Sequence, residues 1–273
     1  MRQVKVAVIM SVYKNDELKF LKESIDSIVN QSYKCIHFFI HIDGSVSKDV
    51  SDLLNEYAQI DIITVTFHKS NLGLAHRLND GIQQVLISGE FSYIARMDAD
   101  DISCYSRIEE QVSFMQNNPK VDVVGSDVQE INGLGSPLFY KNMAAQHDEL
   151  MRDVIVKCPF NHPSVMFRIS VFQDGYRYQS KLKNTQDYYL WIDLLAAGKI
   201  FSNINKPLLK FRLDDNFHSR RGFKKANNDV KSRFYAFSKL GNLSLRNIIH
   251  VFLLYFLRLS PSFVKKLAYE KLR

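Results

Sequence analysis

Apolar and polar residues alternate in blocks through the first half of the chain. Residues 4–10 form a Val- and Ile-rich run that predicts a buried first strand, and Ser11 to Asp16 follow as a polar loop. Leu18, Leu21, Ile25 and Ile28 then recur at helical spacing, and Gln31-Ser32-Tyr33 closes that helix. Cys35 to Ile42 predicts a second strand ending at Asp43-Gly44-Ser45. A polar helix covers 48–58, and 61–67 predicts a third strand. Leu74, Leu78, Ile82 and Val85 mark another helix, and the run 91–97 predicts a fourth strand. Such an alternation of strands and helices predicts a mainly parallel α/β sheet with helices on both faces.

In sheets of this kind ligands bind beyond the carboxyl ends of the strands. Ser11 and Tyr13, Asp43, Lys69 and Asn71, and Asp98 and Asp100 all fall at such ends. The last group is the densest: Asp98-Ala99-Asp100-Asp101 places three carboxylates within four residues. Carboxylates this close repel one another and resist burial unless a cation neutralises them. Hard divalent cations suit oxygen ligands and share them with phosphates. A solvated acidic turn is the alternative, since Asp is a common turn residue.

Further along, residues 107–115 read as a helix and 121–125 as a strand. Residues 126–148 show no clear period and read as loops or a short edge hairpin. A helix near 148–157, a strand over 159–167 entered through a Pro-bounded turn, a helix opened by Asn184-Thr185-Gln186-Asp187, and a strand at 207–213 complete this part. Beyond 222 the pattern is helical. Residues 248–257 are apolar but too few to span a bilayer, and Pro261 to Leu272 sets Phe263 and Leu267 against Lys265, Lys266 and Lys271.

Charge separates this tail from the rest. From His218 onward there are 13 Lys and Arg against Asp229 and Glu270, whereas the preceding residues carry 23 basic and 27 acidic side chains. That asymmetry points to an anionic surface, membrane or nucleic acid, with packing of the tail on the core as the other reading. The initial apolar run is too short for a signal peptide, and widely spaced Cys35, Cys104 and Cys158 suit a reducing compartment. Neither GxGxxG after the first strand nor GxxxxGK[ST] is present, which weakens dehydrogenase and ATPase readings.

Ser11-Val12-Tyr13-Lys14-Asn15, the 24–33 helix end, Asp43-Gly44-Ser45, Asn71-Leu72-Gly73-Leu74-Ala75 and Ala95-Arg96-Met97-Asp98-Ala99-Asp100-Asp101 resemble, in order, the motifs of glycosyltransferase family 2. The resemblance covers about 1–215 and, with the later His162-Pro163-Ser164, is similar to bacterial enzymes of O-antigen, capsule or exopolysaccharide synthesis. It implies the GT-A fold, a UDP-sugar donor and Mn²⁺ or Mg²⁺. In family terms Ser11 and Tyr13 pack around the nucleoside, and Asp43 accepts the uracil ring N–H. Lys69 and Asn71 border the nucleotide, Asp98 faces the ribose, and Asp100 holds the metal, with His218 as a further metal ligand. Asp101 is either a supporting carboxylate or a turn cap.

Inverting transfer needs a base for the acceptor hydroxyl. The family places that acid at a helix start followed by aromatics, which assigns Asp187 in Gln186-Asp187-Tyr188-Tyr189-Leu190-Trp191. Trp191 reads as core rather than as an acceptor platform. His162 reads equally as an acceptor contact or a structural residue, and Arg212 lies where relatives close a loop over the diphosphate. There is no Gln-x-x-Arg-Trp motif, so single addition is expected rather than processive synthesis.

The resulting expectation is a GT-A domain over 1–217, divided into a nucleotide-sugar half (1–125) and an acceptor half (126–217), plus a basic helical tail at 218–273. The enzyme would work at the cytoplasmic face of the cell membrane on a polyprenyl-diphosphate-linked saccharide, with no nucleic-acid partner. The rivals are a sugar-phosphate nucleotidyltransferase and a non-catalytic binding module.

Overall fold

In a computed structural model of the chain, residues 4–182, 184–213, 223–241, 243–260 and 264 are described. The strands are β1 (Val6–Val12), β2 (Ile36–Asp43), β3 (Ile63–His68), β4 (Tyr93–Arg96), β5 (Ile102–Ser103), β6 (Val123–Ile131), β7 (Pro137–Lys141), β8 (Met166–Arg168) and β9 (Phe201–Arg212). The helices are α1 (Leu18–Val29), α2 (Lys48–Tyr57), α3 (Leu74–Ser88), α4 (Arg107–Asn117), α5 (His147–Asp153), α6 (Ile169–Gln173), α7 (Gln186–Ala196), α8 (Phe223–Leu240) and α9 (Leu245–Leu259).

The strands form one sheet in the order β3-β2-β1-β4-β8-β6-β9-β5, with β7 paired to β6. β3, β2, β1 and β4 run parallel, as the βα alternation requires. β8 is antiparallel to both β4 and β6, and β6 and β9 are parallel. Two apolar cores lie against the sheet. One is built on α3, α7 and the aromatic group Phe160, Phe167, Trp191 and Phe201, the other on α1, α2 and α4. Helix α1 shows why periodicity was legible: Leu21, Ile25 and Ile28 are buried on one face. Gly81 lets α3 settle on β1, because a Cβ there would stand 2.7 Å from Ile9 Cγ2.

Three expectations need correction. Ser11 and Val12 belong to β1, paired with His41 and Ile42, so the loop begins only at Tyr13. Of the loops or short edge hairpin read over 126–148, the hairpin forms, β6 pairing antiparallel with β7, but residues 126–131 also run on beside β9 as one long strand with 123–125. β9 starts at Phe201, six residues earlier than its apolar end suggested. In both strands buried polar residues hide the pattern: Asp127 accepts from Tyr140 and the Met143 N–H, and Asn203 donates to Ala144 and Pro159 carbonyls. Of the helix expected over 261–272, only residue 264 is among the described residues.

Candidate active site

The acidic turn is held from below by buried polar contacts. After β4, the Met97 N–H donates to Ile9 O at 3.1 Å, keeping the chain beside β1. Ser24 on α1 donates its hydroxyl to Asp98 O at 2.8 Å. Arg107, wholly buried, donates to Arg96 O at 2.7 Å, and its Nε bonds Gln111, which itself donates to Ser164 O. Asp101 is the far anchor: it is fully buried, and its Oδ1 accepts the Arg212 N–H at 2.8 Å. Arg212 Nε donates to Asp100 O at 2.8 Å, its Nη2 donates to Glu23 at 2.6 Å, and its guanidinium lies 4.1 Å over the Phe20 ring. Arg212 is therefore an interior clamp of the turn rather than a lid residue, since its strand register opposite Ile131 fixes it there.

Above this frame the charges are not balanced. Buried Arg96 donates to Met97 O and pairs with Asp98 Oδ1. Asp100 is an exposed residue of the turn, yet protein surrounds much of its carboxyl. Burial first, and then the Asp98 charge, push it up to about 6. Asp16, before α1, rises to about 7 through burial and the nearby Asp100 and Asp98 charges, even though it accepts the Tyr13 N–H at 2.8 Å. Asp101 also sits well above its ordinary value, by burial and then by Asp100. Neighbouring carboxylate charge contributes to the raised Asp16 and Asp100 carboxyls, and a hard divalent cation bound at the turn would relieve it. Spacing along the chain gave no sign that Asp16 joins this group; the fold brings it near Asp98 and Asp100.

Asp187 lies in the first turn of α7. Thr185 ahead of it adopts φ 64°, a left-handed conformation that strains a β-branched residue. Asp187 lines a cavity of about 170 Å³ together with Leu74, Ala75, Leu78, His162, Tyr178 and Gln186. Burial raises the Asp187 carboxyl, the Asp98 charge raises it further, and the Tyr188 N–H only partly offsets this. His162 shares a 2.8 Å hydrogen bond with the Tyr178 hydroxyl, and burial plus the Arg96 charge hold it well below its ordinary value. It is thus a neutral residue that is both hydrogen-bonded and part of the cavity wall. Trp191 is core, fully buried and stacked 5.5 Å from Phe167.

The Asp43 corner is built differently. Asp43 Oδ1 accepts the Leu72 N–H and Arg77 Nε, and Oδ2 accepts the Gly73 N–H, each at 2.8 Å. Burial pushes the carboxyl up, but Arg77 and the two amides outweigh it and hold Asp43 below its ordinary value. Asn71 closes the corner by donating to Asp43 O at 3.1 Å. Gly44 has φ +86°, and a Cβ there would meet Asn71 N at 3.0 Å, so both conformation and space require glycine. Lys69 and Tyr13 are exposed at the rim. His218 lies outside the described residues.

A mainly parallel sheet carrying an acidic turn and a lone carboxyl in a cavity across from it defines a GT-A-type transferase. A mannosyltransferase from Pyrobaculum calidifontis, solved with GDP-Man and Mn²⁺, shares this fold, with a TM-score of 0.65 over 99% of this chain and 76% of that one at 13% identity. Residues 7–176 match Glycosyl transferase family 2, and the chain belongs to that family. An uncharacterized glycosyltransferase of Methanocaldococcus jannaschii is 34% identical over 220 residues, 79% of this chain and 73% of its own. The Escherichia coli UDP-Gal:alpha-D-GlcNAc-diphosphoundecaprenol beta-1,3-galactosyltransferase is 28% identical over 277 residues, 98% of this chain and 96% of its own. Other relatives are named for amylovoran and O-antigen biosynthesis. The chain is a glycosyltransferase, which removes the nucleotidyltransferase and non-catalytic readings.

Proposed function

We propose that this glycosyltransferase moves a hexose or N-acetylhexosamine from a UDP-sugar, with inversion, to a saccharide on polyprenyl diphosphate during synthesis of a bacterial surface polysaccharide. It would work peripherally at the cytoplasmic membrane face, through the 218–273 tail. The observation that carries this reading is Asp187: a carboxyl with a raised pKa, in a cavity, close enough to Asp98 to feel its charge. The relative named for UDP-Gal and a diphosphoundecaprenol acceptor supports the donor and acceptor classes.

In this mechanism Asp187 accepts the proton of the acceptor hydroxyl as that oxygen attacks the anomeric carbon. The bond to the diphosphate oxygen breaks on the opposite face and UDP departs. Asp100, with Asp16 beside it, would hold Mn²⁺ or Mg²⁺, Asp98 would face the ribose, and the bound ion would supply charge neutralisation to the diphosphate. Arg96 fixes the direction of Asp98, and Arg212 fixes the turn. A carboxylate has about four lone-pair sites. Three donors from the chain occupy Asp43, which leaves one direction for a uracil N3–H and makes the acceptor rigid. Tyr13 and Ser11 flank the nucleoside, Lys69 and Asn71 border its outer edge, and His218 remains a candidate metal ligand.

The test is a donor screen. UDP release is measured with UDP-Glc, UDP-Gal, UDP-GlcNAc and UDP-GalNAc, with and without Mn²⁺, on a lipid-diphosphate-linked sugar. Cation-dependent UDP release with one donor supports the reading. Activity only with GDP- or dTDP-sugars would overturn the donor assignment, and retention of anomeric configuration would overturn the base.

A further inference from the structure

Helix α9 uses one face against the protein and turns an apolar face outward. Arg246 pairs with Asp153 at 3.0 Å, Arg258 pairs with Asp229 at 2.8 Å, and Asn247 and Val251 are buried, so one face is used against the protein. The opposite face shows Leu245, Ile249, Phe252, Leu253, Phe256 and Leu259, each between 44% and 74% exposed. Their spacing forms a single helical stripe along the whole element. Scattered exposed apolar residues are ordinary, but a continuous stripe of this length marks a surface that something covers.

The dimensions and the charge select the cover. With 15 residues, α9 is about 22 Å long, short of the roughly 30 Å hydrocarbon core. Among the described residues no helix is long and apolar enough to cross a membrane. The surrounding sequence from His218 onward holds 13 Lys and Arg against two acids. Two copies meeting through such tails would repel, whereas anionic lipid headgroups are attracted. An apolar helical stripe within a basic stretch of sequence is the composition of a helix lying in the headgroup plane.

We propose that α9 seats in the plane of an anionic lipid bilayer, with Phe252 and Phe256 inserted among the acyl chains. Helix α9 packs on α8 and α8 on α7. The α7–α8 joint is specific: the Tyr235 hydroxyl donates to Asp193, the Tyr189 and Tyr235 rings stand 4.6 Å apart, and Arg233 lies 3.9 Å over the Tyr188 ring. Because α7 carries Asp187, the lipid-bound helix is joined through α8 to the helix that carries the base. That link to catalysis rests on the proposed lipid-linked acceptor; the lipid binding itself does not.

The experiment pellets the full chain with vesicles of phosphatidylcholine containing roughly one quarter phosphatidylglycerol, and with pure phosphatidylcholine, without nucleotide. The full chain should pellet with the anionic vesicles. Phe252→Glu with Phe256→Glu should lower partitioning by about tenfold or more, while the melting temperature and calorimetric UDP binding stay unchanged. Lack of pelleting, or pelleting indifferent to the substitutions, would overturn the proposal. So would a dimer that the substitutions split with lipid binding intact, since a second copy would then be the cover. If lipid binding is lost by the variant while the donor screen fails in both proteins, the membrane inference stands and the transfer reading falls.

Discussion

Two acidic corners stand at the carboxyl edge of the same sheet and behave in opposite ways. Asp43 is buried, paired with Arg77 and bonded by two backbone amides, and its carboxyl is held below the ordinary range. Asp16 has only the Tyr13 amide against the charges of Asp100 and Asp98, Asp100 feels the charge of Asp98, and burial with these charges raises them to about 7 and about 6. An acid that the protein itself satisfies shapes a loop. An acid whose charge the protein leaves uncompensated is poised for a cation or a proton. Asp187 belongs to the second kind, in the neighbouring cavity.

The sharpest way to break this contrast is Asp187→Asn. Turnover should fall by about a thousandfold, with nucleotide binding and melting temperature retained, because the side chain keeps its shape and loses only its basicity. Turnover within a few-fold of the parent would remove Asp187 from the chemistry. At the satisfied corner the expected loss is in stability instead. Arg77→Leu leaves Asp43 buried without its cation and should cost about 3–5 kcal/mol in denaturant unfolding. An unchanged midpoint would show that the pair is not structural.

Asp100→Asn should lower turnover on the order of a hundredfold and abolish the rise in melting temperature produced by Mn²⁺. A Mn²⁺ response equal to the parent's would place the ion elsewhere. The pH dependence follows from the same groups. Asp16 and Asp100 bind protons more tightly folded than unfolded, where a carboxyl titrates near 3.8. Their contribution to stability is therefore complete below about pH 4 and is lost as pH rises through about 6 to 7. Without divalent cation the melting temperature should decline across that window, and Mn²⁺ should recover more of it at pH 7.5 than at pH 5. A flat profile in chelator would contradict the uncompensated state. The smallest effect belongs to the exposed rim: Lys69→Ala should change stability by no more than about 0.5 kcal/mol and UDP affinity by a few-fold, read by calorimetry.

Much of the scaffold was legible because its periods are simple. Strands β1 to β4 are apolar runs, the helices between them carry one apolar face, and the polar ends of the strands marked the site edge. Legibility failed where buried positions are polar. Asp127 in β6 and Asn203 in β9 sit inside the fold on hydrogen bonds, so the first run read as loops or a short edge hairpin and the second as a strand beginning only at 207. Arg212 failed for a related reason, since a charged residue at a strand end reads as a ligand contact until its partners Glu23, Asp100 O and Phe20 are seen.

By itself the sequence determined the alternating α/β order, the carboxylates at the strand ends, the acid opening α7 and the basic tail, because these are properties of neighbours along the chain. Only the tertiary structure decided which acids are paid for. Arg77 reaches Asp43 across 34 positions, Arg212 reaches the acidic turn across more than a hundred, and Asp16 and Asp187 join that turn's electrostatic field from separate elements. Burial and charge act through space, so the pKa of each carboxyl is set by partners that local spacing does not name.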